Sequence, residues 1–149
     1  MESIFDPEVV DQYISRINKI DRDTKPHWGK MNATEMFAHC SLSFEYNNGE
    51  RQAKVNPVLR FFLKPMMRAT ILGSKPYRKN SPTAPYFKPA KTSDFIAERE
   101  RLERNIRQFS ANRNSQEGRE HAWLGKLSAE EWSRIMLKHL DHHLCQFGV

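Results

Sequence analysis

Ser128-Ala129-Glu130-Glu131-Trp132-Ser133-Arg134-Ile135-Met136-Leu137-Lys138-His139-Leu140-Asp141-His142-His143-Leu144-Cys145-Gln146 has the pattern of one long helix with a buried side. Ser128 with Glu131 three residues on forms a capping box, which satisfies two free backbone N–H groups at a helix start. At 100° per residue, Trp132, His143 and Gln146 fall within about 40° of His139, whereas Arg134, Lys138 and Asp141 lie elsewhere. The histidine face is therefore expected to point inward. Four residues along a helix raise the chain about 6 Å while turning it little, so His139 and His143 leave from one side. Such a pair can chelate one divalent ion. A third imidazole from a neighbouring helix would complete a three-nitrogen site with a position open for water or substrate. Paired histidines also occur as plain polar helix residues, but an inward imidazole needs a partner because unsatisfied buried polar groups are costly.

Outward from this segment the other elements also read as helices. Asp6-Pro7 is a cap followed by proline at the first helical position, opening a helix near 7–20 with Val9, Val10, Tyr13, Ile14, Ile17 and Ile20 as its apolar stripe. Asn32 with Glu35 is a second capping box, starting a helix near 33–48 that stops at Gly49. His39 lies on this helix, on one face with Met36 and Ser43. Asn56-Pro57 opens a shorter segment near 57–72, with a kink expected at Pro65. Its Arg60, Lys64 and Arg68 oppose Leu59, Phe62, Leu63, Met66 and Met67. That apolar face is expected to complete the core, with a membrane or partner contact as the alternative. Four prolines, Pro76, Pro82, Pro85 and Pro89, make 74–92 a long crossover, which permits two helices to run in the same direction. Ser93 is the expected cap of a helix near 94–112. There Phe95, Leu102, Ile106 and Phe109 face inward, and Glu98, Arg99, Glu100, Arg101, Glu103 and Arg104 form a solvated face. No stretch alternates as a strand does. The fold class is all-α: one domain over 1–149, a four-helix bundle with a long crossover and a short extra helix.

The chain has 149 residues, 38% of them hydrophobic and including 9 Phe, enough for a packed core and against disorder. No stretch approaches the roughly 18 apolar residues of a membrane span, so no stable membrane insertion is expected. The start, Met1 to Asp6, lacks the regions of a signal peptide, and Cys40 and Cys145 form neither a CxxC motif nor a disulfide framework. A cytoplasmic location follows as an expectation. Both cysteines point away from the histidine faces and read as small buried apolar residues. The net charge of +6 invites a nucleic-acid reading, but much of the excess is local. Lys75, Arg78, Lys79, Lys88 and Lys91 share a stretch with no acidic residue. Without zinc-finger spacing, an aromatic RNA-binding motif or a helix-turn-helix, nucleic acid is not the expected partner. HExxH, GxSxG and a glycine-rich phosphate loop are missing too, and carboxylates near the histidine face are scarce.

Among the remaining histidines, His27 and His121 lie in loops and are expected in solvent, with a place at the mouth of a site as the alternative. His142 sits about 60° from His139, beside the ligand face.

The run Trp28-Gly29-Lys30-Met31-Asn32-Ala33-Thr34-Glu35-Met36-Phe37-Ala38-His39-Cys40 resembles the second-helix region of the DinB/YfiT-like superfamily. The ending His121-Ala122-Trp123-Leu124-Gly125-Lys126-Leu127-Ser128, followed by Glu131-Trp132 and the stretch from Lys138 to Gly148, is similar to an uncharacterised branch of it. The resemblance spans nearly the whole chain. It implies a four-helix bundle in which one histidine of the second helix and an HxxxH pair of the last bind nickel, zinc or iron. Matched by position these are His39, His139 and His143. His142, Gln146, Ser43, Trp132 and His121 are the residues expected around them. Some relatives are transferases or isomerases using low-molecular-weight thiols, and others are classed as hydrolases.

The expected function is thus a metal-dependent enzyme acting on a small molecule, with water or a small thiol as nucleophile. The competing reading is a non-catalytic bundle that binds a partner, membrane or nucleic acid through its basic segments. A homodimer is compatible with either.

Overall fold

Each long helix begins where a side chain can satisfy the free N–H groups of its first turn. In the computed structural model, which describes residues 2–91 and 94–149, Asp6 accepts from the Glu8 N–H and opens α1, Pro7–Ile17. Asn32 and Glu35 cap one another's backbone and open α2, Ala33–Asn47. Asn56 accepts from the Val58 and Leu59 N–H groups at the start of α3, Pro57–Leu72. For α4, Phe95–Ala111, the cap is Asp94, which accepts from the Ala97 N–H; Ser93, the expected cap, lies outside the described residues. A short α5, Arg113–Gln116, follows, and Ser128 with Glu131 opens α6, Ala129–Gln146. The protein is predominantly helical, and all-α describes it.

Three local expectations need correction. α1 ends three residues earlier than its apolar stripe, yet Ile20 beyond it is fully buried. α3 runs unbroken through Pro65. A proline removes only its own N–H bond, here the one to the Phe61 carbonyl, and that carbonyl belongs to an exposed residue that water can serve. A two-residue ladder also interrupts the all-helical pattern: β1, Glu120–His121, pairs antiparallel with β2, Gly125–Lys126. It is too short to show alternation. The His121 side chain closes its turn, Nδ1 accepting from the Trp123 and Leu124 N–H groups.

Contacts between elements give their relative directions. Phe37 meets Phe95, Glu45 bonds Arg101 and Asn105, and Glu50 bonds Gln108, so α2 and α4 run parallel. Their connection spans the proline-rich crossover, which contains a 3-10 turn at Pro85–Phe87. α1 runs against α4, with Phe5 stacked on Phe109 and Asp11 paired with Arg107. It runs with α6, as Ile4 N–H donates to Ser133 and Arg16 pairs with Asp141. α2 and α6 are antiparallel, which brings His39 to His143 and Asn47 to Met136. One continuous core contains Ile17, Phe37, Phe44, Ile106, Phe109 and Trp132 of these helices, together with Leu72 of α3 and Leu124 and Leu127. Arg101, expected on the solvated face of α4, turns inward instead to the buried carboxylate of Glu45, which also pairs with Arg51. Removing one partner from a buried carboxylate is costly, so this pairing ties α2 to α4.

α3 lies at the edge of this core, and only part of its expected apolar face reaches it: Met67 does, whereas Leu59, Phe62 and Met66 do not. Met67, Ile71 and Leu72 reach the core, Arg60 pairs with Glu120, and Arg68 pairs with Glu131 of α6. Lys138 donates to the carbonyls of Thr70 and Gly73 and so holds the end of α3. The apolar side is left in solvent: Val58, Leu59, Phe61, Phe62 and Met66 are 50–76% exposed. The core offers α3 only the surface that Met67, Ile71 and Leu72 take, and the rest of its apolar residues face away from it. Among the described residues, no helix is long and apolar enough to cross a membrane.

Candidate metal centre

His39, at the middle of α2, and His139 and His143, one turn apart on α6, meet where the two antiparallel helices face each other. Their ring centroids are 4.7–5.0 Å apart. One nitrogen from each lies within 4.8 Å of the others.

The outer ring atoms of two of the three are held in place. His39 Nδ1–H donates to the Phe87 carbonyl at 2.8 Å, and His143 Nδ1–H donates to Gln146 Oε1 at 2.8 Å. Gln146 is itself oriented, because its amide Nε2 donates to the Trp28 carbonyl at 2.6 Å. With protons fixed on Nδ1, the Nε2 lone pairs of His39 and His143 point to the shared centre, the tautomer a metal ligand needs. His39 Nε2 stands 3.0 Å from His139 Nε2. Two bare nitrogens at that distance repel unless a proton or a cation lies between them. His139 Nδ1 is buried without a hydrogen-bond partner, whichever of the two ring nitrogens carries the proton. Two nitrogens on one ion, each at ~2.1 Å, stand about 3.0–3.4 Å apart, which matches this pair.

Burial keeps these rings neutral. It pushes His143 down to about 3 and holds His39 and His139 below the usual imidazole value, His139 well below. His142 is also lowered by burial, against the opposing pull of Asp141. Neutral imidazoles keep the lone pairs that a cation requires.

The triad forms the floor of an open cavity of about 1190 Å³. Its walls come from the Trp28 loop, the inner side of α3, the crossover and the β1–β2 hairpin. Of the residues expected around the triad, Gln146 touches His143 directly. His142 lies in the wall between Trp28 and Tyr77. Ser43 also lines the cavity, its Oγ accepting weakly from Asn47 at 3.5 Å. Trp132 does not reach the cavity; it is fully buried behind the wall, with His121 packed on its ring. His121, expected in solvent or at the mouth of a site, is half-buried in the cavity wall, and burial with nearby Arg60 lowers it to about 4. His27 is exposed. Cys40 is buried as expected, its thiol pushed up by burial. Cys145 is instead exposed, beside Asp141 and Arg16, because its place on α6 is opposite the helix's packed side.

Several contributors could not be read from the chain. Phe87 is 48 residues from the ring it holds, and only its carbonyl takes part. Tyr77 lies against both His139 and His142, and burial raises its hydroxyl to about 12, so it stays protonated. Gly29 has φ +83°, and a Cβ there would stand 2.5 Å from the Gln146 amide. Both the left-handed backbone and the close approach require glycine.

Two outcomes are expected from this geometry. Gln146→Leu removes the acceptor that fixes the His143 tautomer; loss of such a partner weakens metal affinity about 10- to 100-fold. Chelator competition would measure it, and an unchanged affinity would exclude this role for Gln146. The second concerns acid. The unfolded chain takes up protons on histidine near pH 6.5, whereas native His143 and His121 resist to about 3 and 4. Native pKa values below the unfolded ones make stability complete above pH 6.5 and diminishing as pH falls beneath it. Each such histidine adds a slope of up to about 1.4 kcal/mol per pH unit. Melting of metal-free protein from pH 7.5 to 5 should show this decline, with a shallower one in His121→Gln.

Fold and site together define an all-α protein with an inward triad of neutral imidazoles at the base of an open cavity. The chain belongs to the family described as Protein of unknown function (DUF1569), whose model matches residues 5–148. No curated protein and no solved structure matches it.

Proposed function

We propose that His39, His139 and His143 hold one divalent ion, nickel, zinc or iron, and that the protein is a cytoplasmic enzyme acting on a small molecule. The reading treats the whole chain as one DinB-like domain, with α1, α2, α4 and α6 as its four-helix bundle and α3 as the extra helix. The observation that carries it is the convergence of three neutral imidazoles whose outward protons are fixed on two of them by Phe87 and Gln146. When bound there, such an ion supplies the charge that acidifies a water or a small thiol, giving a nucleophile at neutral pH.

The remaining residues support a hydrolase or thiol-transferase type of reaction with an external nucleophile. Ser43 has only its weak bond from Asn47 and no base beside it, Cys40 is sealed in the core, and Cys145 lies on the outside. Glu120 is the one carboxylate among the described cavity residues, and it is paired with Arg60. Trp28, Tyr46, Tyr77, Tyr86 and Trp123 offer aromatic walls, while Lys54 and Arg78 at the cavity suit an anionic group on the substrate. The Tyr77 hydroxyl is available as a donor beside His139.

Protein purified without a histidine tag should contain about one equivalent of a divalent metal by elemental analysis, as a three-ligand site with an open position implies. Metal-free protein that takes up none of nickel, zinc or ferrous iron would remove the basis of the proposal.

A further inference from the structure

The outer face of α3 is the one large apolar surface that the fold leaves uncovered among the described residues. Val58, Phe61, Phe62 and Met66 are 57–76% exposed, and the two phenylalanine rings touch each other in solvent. An exposed row of this kind marks a contact surface. The segment of sequence that carries it is rich in cations. Ten of the 24 Lys and Arg residues lie within 51–91, and none of the 18 Asp and Glu residues does. Arg51, Arg60 and Arg68 are paired with carboxylates from elsewhere in the chain. Lys54, Lys64, Lys75, Arg78 and Lys88 form no ion pair among the described residues.

We propose that α3 docks this face on an anionic membrane surface, with Phe61 and Phe62 entering the boundary between headgroups and acyl chains. A helix with aromatic residues on one side and lysine and arginine around it lies in the plane of such an interface. Anionic headgroups attract clustered cations within a screening length. Charge decides against the other occupants. A second copy seated face to face would bring together two sets of cations, Lys54, Lys64, Lys75, Arg78 and Lys88, that form no ion pair among the described residues. Nucleic acid would take the cations but leave the phenylalanines against a polar backbone. The inner side of the same helix supplies Arg60, Met67 and Ile71 to the cavity wall, so docking would set the cavity beside the bilayer.

Flotation of the full chain with phosphatidylcholine vesicles, alone or with about one quarter phosphatidylglycerol, tests this at roughly 0.1 M salt. The expected result is at least tenfold stronger partitioning into the anionic vesicles, reduced when salt is raised to about 0.5 M. Phe61→Ser with Phe62→Ser should lower partitioning at least tenfold. Both side chains are in solvent, so helicity and melting temperature should stay as in the wild type. Lys64→Gln with Lys75→Gln should lower it several-fold on anionic vesicles alone. Failure of the wild type to float with anionic vesicles would overturn the proposal, as would equal flotation of the phenylalanine variant. A dimer in vesicle-free solution that is lost in the phenylalanine variant would assign the face to a second copy instead.

Discussion

Replacing His143 with alanine is expected to reduce bound metal from about one equivalent to under a tenth, since a three-ligand site that loses one ligand loses most of its affinity. The side chain is buried, and its Nδ1–H meets Gln146, so the substitution also frees the Gln146 acceptor. His39→Ala should have the same effect through the opposite helix, because its ring is fixed independently by Phe87. Activity against a panel of thiol-conjugation and hydrolysis substrates should fall with the metal in both variants. Cys40→Ala and Cys145→Ala should keep it, as neither thiol lines the cavity. Full turnover in His143→Ala, or a covalent adduct on either cysteine during turnover, would show that the nucleophile is not an external one.

Trp132→Ala should be the most destabilising single change. Trp132 is fully buried, the largest side chain in the core, and lies beneath His121 at a ring separation of 5.4 Å. Emptying such a site costs about 3–5 kcal/mol in lost transfer energy and cavity formation. In a chain of this size that lowers the melting temperature by roughly 6–20 °C. The cavity wall should loosen as well, with the His121 pKa rising from about 4 toward 6.5 as water enters. Phe61→Ser, the loss of a whole aromatic ring from a side chain 76% exposed, should shift stability by no more than about 0.5 kcal/mol. If the two variants melted at the same temperature, burial would not be what sets their cost.

Helix starts and inward faces were legible because their causes are local. Asn32 with Glu35 and Ser128 with Glu131 cap within a single turn, and Ile14, Ile17, Leu102 and Ile106 repeat at helical spacing. The shared face of His139 and His143 follows from 3.6 residues per turn alone, and the resemblance added His39. The depth of His121 was not legible: a histidine in a turn looks solvent-exposed until the hairpin folds it onto Trp132.

The five long helices and the side of α2 and α6 that bears imidazoles were readable from the chain, since each depends on residues a few positions apart, whereas the short α5 and the β1–β2 hairpin were not. Only the tertiary structure decided what lies beside those imidazoles. Phe87 reaches His39 across 48 residues, and the Trp28 carbonyl orients Gln146 across 118. Backbone groups of this kind carry no side-chain signature, so no spacing announces them. The tertiary structure also decided the fate of the α3 stripe. A periodic row of apolar residues defines a side of a helix, but whether that side is covered depends on what the other helices have left exposed. Here the core takes Leu72 of α3, with Met67 and Ile71 against it, and Phe61 and Phe62 remained outside it.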